Sequence, residues 1–269
     1  MVSVMKKQLN KSWTALLNTL LLGFGLFTFT ASVNASIIKT DIVMLVDESG
    51  SMEAVHNNLI DSIGTFAGLL QSGGLDARFA LIGFGFAGDK LRLLSPLIEL
   101  ADFSAPLGLL EAWGSTEKIY DATAFALEAH PDETEELDYR DDAVKNLIVF
   151  ADESSNNDVH FDAADIDGLL KQNSALFNVV LGGNFAELET LAKNNGGNSF
   201  DLNLLNSPDA GVVADFVADF AAVKIQETID FCDENPGHPA CSGGQPVPAP
   251  AGILLFSLGL LLVSRRQFR

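Results

Sequence analysis

The chain has few cysteines and few basic residues, and each shortage excludes a class of function. Only two of its 269 residues are cysteine, Cys232 and Cys241, and two thiolates supply only half of the ligands of a structural zinc site. Lysine and arginine together number 16 against 36 aspartates and glutamates, so the formal net charge is −20. This charge repels nucleic-acid phosphates and anionic membrane surfaces, and it therefore excludes nucleic-acid binding.

The sequence also lacks the motifs of several enzyme classes. It contains no P-loop and no recognisable nucleophile motif. The four histidines, His56, His130, His160 and His238, lie in separate segments without a shared spacing, and we expect them at the protein surface. No internal repeat is visible, and the length favours a single domain between two atypical ends.

The N-terminal end has the pattern of a secretory signal peptide. Three lysines precede an apolar stretch at residues 15–29, and small residues lead up to Ala35, which is the expected cleavage site. We therefore predict that residues 1–35 direct export, with a start at either Met1 or Met5. The alternative is a retained anchor helix, but a membrane-spanning helix needs about 20 apolar residues.

The C-terminal end carries a second short apolar segment. Pro248-Ala249-Pro250 leads into an apolar run at residues 252–263, and three arginines follow. Residues 246–269 resemble the PEP-CTERM sorting signal of bacterial surface proteins, although Ala249 stands where that signal has glutamate. The resemblance implies membrane attachment through the tail, at least transiently, with the arginines on the cytoplasmic side. A glycolipid anchor signal is the alternative, which the terminal arginines disfavour.

Cys232 and Cys241 lie in residues 231–245, which we interpret as a linker between the domain and the tail. In an exported chain, two cysteines this close in sequence favour a disulfide. Closing so short a loop stabilises a protein by roughly 2–3 kcal/mol through chain entropy. Because the loop follows the last predicted helix, we expect the disulfide to tie the linker and not the core.

Between the ends, apolar runs typical of buried strands alternate with segments of helical periodicity. This alternation predicts an α/β fold of three layers, with a doubly wound, mostly parallel sheet covered on both faces, over residues 36–230. Pro96 places one strand at an edge of the sheet, where we expect it to be short. The predicted strands are 42–46, 79–86, 91–100, 146–151, 176–181 and 199–202. The predicted helices are 52–70, 119–129, 163–172, 186–194 and a last one opening at Ser207-Pro208.

Seven acidic residues crowd one segment after Pro131. Such a run is typical of a solvated loop, and a second cation site is the alternative interpretation. The residues are Asp132, Glu133, Glu135, Glu136, Asp138, Asp141 and Asp142.

Oxygen-bearing side chains follow the first predicted strand. Asp47, Ser49 and Ser51 come directly after residues 42–46, at the carboxyl end of a strand, where open parallel sheets bind their ligands. A carboxylate and two hydroxyls are hard ligands suited to magnesium, manganese or calcium. Gly50 permits the tight backbone path that presents both hydroxyls. The structural alternative is that these residues only cap the following helix.

This Asp-x-Ser-x-Ser pattern resembles the metal-ion-dependent adhesion site of the von Willebrand factor A (VWA) family. The family adds a threonine from a second loop, matched by Thr116 after Gly114-Ser115, and an aspartate from a third loop, matched by Asp152. The resemblance spans roughly residues 37–230 and implies a Rossmann-like VWA fold with a bound divalent cation, Mg²⁺ above all. The implied metal ligands are Asp47, Ser49, Ser51, Thr116 and Asp152.

Two further residues near these loops bear on the site. The family often has glycine after the third-loop aspartate, whereas Glu153 follows Asp152 here and adds negative charge. We expect Asp121, in the helix opening that follows Thr116, to support the second loop by hydrogen bonding rather than to bind the metal.

The resemblance implies binding rather than catalysis. Five protein ligands would leave one position of the ion open for an acidic group of a partner, either a protein or an exopolysaccharide. We therefore expect an adhesion or matrix protein outside a bacterial cell or on its surface, without enzymatic activity. Two alternatives stay open. One is a metal-dependent hydrolase with Glu48 or Glu153 as the nearest base, and the other is a metal-stabilised scaffold without a specific ligand.

Overall fold

The computed structural model describes residues 37–86, 90–131 and 136–242, all within one unit that spans Ala35–Arg269. The predicted signal peptide, the PEP-CTERM-like tail and the start of the acidic segment lie outside the described residues. No helix in the described part of the chain is long and apolar enough to cross a membrane. The apolar run at 252–263, for which we predicted membrane attachment, lies outside the described residues.

Six strands form one sheet in the order β3-β2-β1-β4-β5-β6. Every neighbouring pair is parallel except β2 and β3, which confirms the predicted doubly wound, mostly parallel sheet. The antiparallel β3 lies at the edge, as Pro96 predicts, but its ten residues make it as long as β1. The strands are β1 Ile38–Asp47, β2 Leu75–Phe86, β3 Lys90–Glu99, β4 Val144–Ala151, β5 Leu176–Leu181 and β6 Ser199–Asp201.

The described residues contain seven α-helices, five between the strands and two after the last strand. Their order follows the predicted alternation, with two additions that were not predicted: α2, which contains Pro106, and α6. The α6 segment is a single turn between β6 and the last helix. The helices are α1 Glu53–Ser72, α2 Leu100–Leu107, α3 Ile119–Ala126, α4 Ala163–Asn173, α5 Ala186–Asn194, α6 Leu202–Leu205 and α7 Ala210–Glu234.

The helices cover both faces of the sheet and create two hydrophobic clusters. Alternate residues of β1 point to opposite faces, so Met44 packs with α1 and α7 while Leu45 packs with α3 and α4. Burial on both faces explains why residues 42–46 of β1 are continuously apolar instead of alternating. Polar side chains therefore come closest to the centre of the sheet at the carboxyl end of β1, which is at Asp47.

The last helix differs from the prediction at both ends. It begins at Ala210, where the Asp209 carboxylate accepts a hydrogen bond from the Gly211 backbone N–H at 2.8 Å, and not at Ser207-Pro208. It continues to Glu234, so Cys232 lies inside it. Cys232 and Cys241 form a disulfide with a Cα–Cα distance of 5.1 Å.

The expectation that this disulfide ties only a linker is wrong. Cys241 is buried within the larger hydrophobic cluster, and Cys232 packs against it. Pro239–Cys241 form a short 3₁₀ helix that lies against β1. The apolar side of residues 238–241 therefore belongs to the core, and the disulfide holds the end of α7 to it.

One ion pair lies inside the core, on α7. Lys224 and Glu227 are both buried and form a salt bridge, and Asn198 donates a further hydrogen bond to Glu227. Burial lowers the pKa of Lys224 to about 8. The ammonium also lies 5.3 Å from the ring centre of Phe200, so several contacts compensate for its lost hydration.

Candidate metal centre

Asp47, Ser49 and Ser51 form one hydrogen-bonded cluster at the end of β1. The Ser49 backbone N–H donates to Asp47 Oδ1 at 2.6 Å, and the Ser49 hydroxyl donates to Asp47 Oδ2 at 2.9 Å. The hydroxyl oxygens of Ser49 and Ser51 lie 3.1 Å apart. Asp47 and Ser49 are buried and Ser51 is exposed, so the cluster reaches from the interior to the surface.

Helix capping does not account for this cluster. Ser49 precedes the short 3₁₀ turn Gly50–Met52, and Met52 precedes α1, yet neither helix has a side-chain cap among the described residues. The serine hydroxyls are directed toward Asp47 and toward each other instead. This arrangement disfavours the alternative interpretation that Ser49 and Ser51 serve only as caps.

The second loop, residues 108–118 between α2 and α3, lies directly beside Asp47. The Glu48 carbonyl accepts hydrogen bonds from the N–H groups of Trp113 and Gly114, at 3.1 and 2.9 Å. Gly85, at φ +83°, allows the loop to pass close by, because a Cβ there would lie 2.4 Å from the Thr116 carbonyl oxygen and 3.3 Å from Asp47 Oδ1. Thr116 is half-buried in this loop.

Glu117 is a member of the cluster that the sequence analysis missed. The residue is only 1% exposed, and its carboxyl group lies beside that of Asp47, whose pKa is raised by burial and then by the charge of Glu117. Glu117 Oε2 is buried and has no hydrogen-bond partner among the described residues. An acidic residue directly after the predicted ligand Thr116 was the available signal.

Asp152 is the first residue after β4 and approaches the cluster from the other side. Asp152 Oδ1 is buried and lacks a hydrogen-bond partner within the described ranges. Gly182 packs against Asp152, since a Cβ at position 182 would lie 2.9 Å from the Asp152 Cα. The charge of Asp152 acts on Glu117 and raises the pKa of that carboxyl.

The electrostatics of these carboxyls favour a bound cation. Burial, followed by the charge of Glu117, raises the pKa of Asp47 far above its ordinary value. Burial likewise raises the pKa of Glu117, and the charges of Asp152 and Glu153 add to the shift. Buried carboxylates are costly unless a charge compensates them. Two orphaned carboxylate oxygens and two hydroxyls form a donor set that fits a hard divalent cation.

Glu48 has a different task from its neighbours. Its carboxylate accepts from Arg92 Nη1 and from the Glu111 backbone N–H, both at 2.8 Å. Arg92 also donates to the Leu109 carbonyl oxygen at 3.3 Å. Glu48 is thus held in an ion pair that anchors the start of the second loop.

The third loop, residues 152–162 between β4 and α4, is hydrogen-bonded to the first residues of α3 and to the residues just before them. The Glu117 backbone N–H donates to Asn156 Oδ1 at 3.2 Å, and the Ile119 N–H donates to the Ser155 hydroxyl at 3.0 Å. Asp121 accepts from three consecutive backbone N–H groups, those of residues 159–161, at 3.0 to 3.2 Å. Asp121 therefore hydrogen-bonds as expected, but it supports the third loop and not the second.

The expectation that all four histidines lie at the surface is wrong for two of them. His56 is 5% exposed and His130 is 8% exposed. His56 Nε2 donates to the Asp47 carbonyl oxygen at 2.8 Å, and burial lowers the pKa of its imidazole. A polar ring can be buried when it finds such a partner, and sequence spacing does not reveal that partner.

The surface beside the cluster contains exposed apolar side chains. Trp113 is 77% exposed and Leu109 is 52% exposed, both in the second loop. Exposed tryptophan is enriched at binding surfaces. The sequence analysis did not single out these two residues.

Comparison with known proteins identifies the family of this chain. No curated protein matches it. A solved structure described as the SpRpn10 VWA domain is 15% identical, covers 68% of this chain and 93% of its own, and has a TM-score of 0.47. Proximal thread matrix protein 1 from the mussel byssus is 16% identical with a TM-score of 0.47, and the match covers 70% of this chain but 47% of that protein. The von Willebrand factor type A domain family matches residues 41–217, and the chain therefore belongs to that family.

Proposed function

We propose that this VWA domain binds an acidic group of a partner through a divalent cation held by Asp47, Ser49, Ser51, Thr116 and Asp152. Domains of this family commonly bind a divalent metal and mediate protein interactions. The observation that carries the proposal is the carboxyl cluster of Asp47, Glu117 and Asp152, in which burial raises the pKa of Asp47 and Glu117. In this cluster Glu117 Oε2 and Asp152 Oδ1 are buried without a hydrogen-bond partner among the described residues. Magnesium would supply an open coordination position for the partner's carboxylate.

Glu117 lies beside the proposed ligand set and acts on it through its charge. It contributes a third carboxyl next to Asp47, which increases the attraction for a divalent ion. It also makes the metal-free site more strongly self-repelling than a site with a single aspartate. We therefore propose that Glu117 acts on the affinity for the ion, while Ser49 and Ser51 orient the Asp47 carboxylate toward it.

The partner is proposed to be a protein with an acidic side chain, and an acidic exopolysaccharide is the alternative. The chain itself is strongly acidic, so long-range electrostatics oppose an acidic partner. Exposed Trp113 and Leu109 offer apolar contact area beside the cluster, and such contacts, together with the metal, would offset the repulsion.

A binding role is proposed in preference to a hydrolase. Glu48, the nearest base in sequence, is tied to Arg92 and to a backbone N–H. Glu153 is exposed and has no recognisable acid partner in the sequence. Metal-dependent hydrolysis needs a general base near the metal-bound water, so the ion pair of Glu48 with Arg92 and the exposure of Glu153 support the binding role.

Export to the cell surface is part of the same proposal. The pairing of Cys232 with Cys241 supports it, because disulfides persist in oxidising compartments outside the cytosol. The signal peptide and the sorting tail remain sequence predictions. Mass spectrometry of the protein recovered from the cell exterior would test both ends, and recovery of an intact chain from Met1 to Arg269 would contradict the proposed processing.

The metal site is tested by titrating the purified chain with MgCl₂ in a calorimeter. We expect Asp47→Ala to abolish binding, because it removes a buried charged ligand. Asp61→Ala is the matched control, since Asp61 is an exposed aspartate on α1. Equal Mg²⁺ affinity in the wild type and Asp47→Ala would contradict the proposal that Asp47 is a metal ligand.

Partner chemistry is tested with immobilised poly-glutamate and alginate, each with Mg²⁺ and with a chelator. Retention that requires Mg²⁺ and is lost in Asp47→Ala supports an acidic ligand, and the preferred matrix separates protein from polysaccharide. Activity on phosphate or carboxylate esters that depends on Mg²⁺ and disappears in Glu153→Gln would favour the hydrolase instead.

A further inference from the structure

A second group of metal-binding side chains lies outside the carboxyl cluster. Asp121 is in the first turn of α3, His130 follows the end of that helix, and His160 is in the third loop. One ligand atom from each lies within 4.8 Å of the others. The His130 and His160 rings meet edge to face at 4.8 Å between centres, and His160 Nδ1 lies 3.7 Å from Asp121 Oδ2.

These three residues share a cavity of about 290 Å³ that an ion can reach. Asp121 and His130 are buried, while 40% of the His160 side chain is exposed. Phe125 and Leu91 form apolar walls, and the chains of Lys90 and Lys118 complete the lining. A partly enclosed site with mixed nitrogen and oxygen donors is a different chemical environment from the all-oxygen cluster around Asp47.

We propose that Asp121, His130 and His160 bind a divalent transition-metal ion of the zinc class. Two imidazoles and one carboxylate suit zinc, copper or nickel, whereas magnesium and calcium prefer oxygen ligands alone. The Asp121 carboxylate is already oriented by the three backbone N–H groups of residues 159–161, which is the kind of support that positions a metal ligand.

Binding of a tetrahedral ion requires the three ligand atoms to come closer together and leaves one coordination position of the ion free. Two ligands of tetrahedral zinc lie about 3.4 Å apart at bond lengths near 2.1 Å, so the more exposed His160 has to move inward. Three protein ligands leave a fourth position that faces the cavity. Lys90 and Lys118 line this cavity, and their charge favours an anionic fourth ligand, such as hydroxide or a carboxylate, over a neutral one.

The proposed site does not depend on the Mg²⁺ site, but it acts on the same loop. His160 and Asp152 both belong to the third loop, which lies between β4 and α4. A bound ion would join this loop to α3 through Asp121. Occupancy is therefore expected to hold the loop that carries Asp152 more firmly.

Cobalt(II) is a suitable probe, since its visible absorption reports nitrogen and oxygen coordination. The full chain is titrated with CoCl₂ in saturating MgCl₂, so that the oxygen-ligand site is occupied. We expect visible absorption of low-coordinate cobalt, and at least about tenfold weaker binding in His160→Gln, because loss of even a supporting residue costs 10- to 100-fold. His238→Gln is the matched control, because His238 lies outside this group.

Because 40% of the His160 side chain is exposed, His160→Gln is expected to fold, which circular dichroism and thermal unfolding would check. Asp47→Asn should keep the cobalt signal, which separates this site from the proposed Mg²⁺ site. Selective loss of the signal in His160→Gln supports the proposal. Equal affinity in the wild type and His160→Gln, or an equal loss in His160→Gln and His238→Gln, would overturn it.

Discussion

The carboxyl group of Glu117 lies beside the carboxyl group of Asp47 at the end of the central strand and, after burial, is the main cause that raises the pKa of Asp47. Two buried carboxyls this close favour sharing one proton over carrying two charges. The proposed metal site would therefore have two ways of neutralising its charge: a proton in the metal-free protein or a divalent cation in the loaded one. We expect this competition between protons and metal to determine how the domain responds to pH and to chelators.

We expect the stability of the metal-free protein to fall as the pH rises. The folded-state pKa of Asp47 is raised from 3.8 to about 9 by burial and by Glu117. The stability that its proton contributes is fully present below 3.8 and is lost as the pH rises toward 9. The free energy of unfolding, measured by denaturant titration in EDTA between pH 4.5 and pH 8.5, should therefore decrease.

Asp47→Asn is the control for this pH dependence, because an amide keeps the shape of the protonated acid without titrating. The variant should show a shallower decrease in EDTA, and Mg²⁺ should stabilise the wild type most at the alkaline end of the range. Identical pH slopes for the two proteins would show that the Asp47–Glu117 pair does not control the stability.

Glu117→Gln is expected to weaken Mg²⁺ binding by about 10- to 100-fold, as the loss of a residue adjoining a metal does. In EDTA the same variant should be at least as stable as the wild type near neutral pH, because one of the repelling carboxyls is removed. Calorimetry and denaturant titration measure the two effects. Glu153→Gln makes the same change of charge at an exposed position. An equal loss of Mg²⁺ affinity in that variant would show that Glu117 acts only through the overall negative charge near the site.

Trp113→Ala is expected to weaken retention on the immobilised acidic ligand by about tenfold or more, because exposed tryptophans dominate many interfaces. Its Mg²⁺ affinity should stay unchanged, since Trp113 offers the ion no carboxylate or hydroxyl ligand. Val212→Ala, at an exposed apolar position on α7, serves as the control in the same retention assay. A loss of Mg²⁺ affinity in Trp113→Ala would show that Trp113 supports the structure of the second loop and does not act by contacting the partner.

The buried pair of Lys224 and Glu227 should behave as a unit. Lys224→Met or Glu227→Leu alone is expected to destabilise the fold by about 3–5 kcal/mol, since each leaves one buried charge without its partner. The double variant should recover most of that loss. Denaturant titration of all four proteins gives the coupling energy, and additive effects would contradict the pairing.

Continuous apolar runs in the sequence, such as residues 42–46 of β1, were sufficient to predict the sheet, because strands buried on both faces are apolar on both sides. Periodicity was not sufficient to predict α2, where Pro106 interrupts the helical pattern within only eight residues. Asp47, Ser49 and Ser51 were predictable as a cluster because their spacing is local. Thr116 and Asp152 depended on the resemblance to a family, since only the fold brings their loops near Asp47.

Contacts between residues distant in sequence account for what was missed. Glu117 approaches Asp47 only because Gly85 allows the second loop to pass close to β2. His130 and His160 are thirty residues apart in sequence, and the three hydrogen bonds to Asp121 bring the third loop beside α3. The burial of Cys241 depends on the packing of residues 239–241 against β1, which no local pattern of the sequence encodes.

The bond between Cys232 and Cys241 also decides where tension enters the domain. A pull on the chain beyond residue 242 reaches Cys241 first and passes through the disulfide to Cys232 in α7, so the longer path through residues 233–238 is bypassed. Cys241 itself belongs to the short helix that lies against β1, so α7 and this helix share the load. A protein held at the cell by its C-terminal tail would thus transmit a pull directly to the central strand, at the far end of which Asp47 lies, instead of unravelling its last helix from the end.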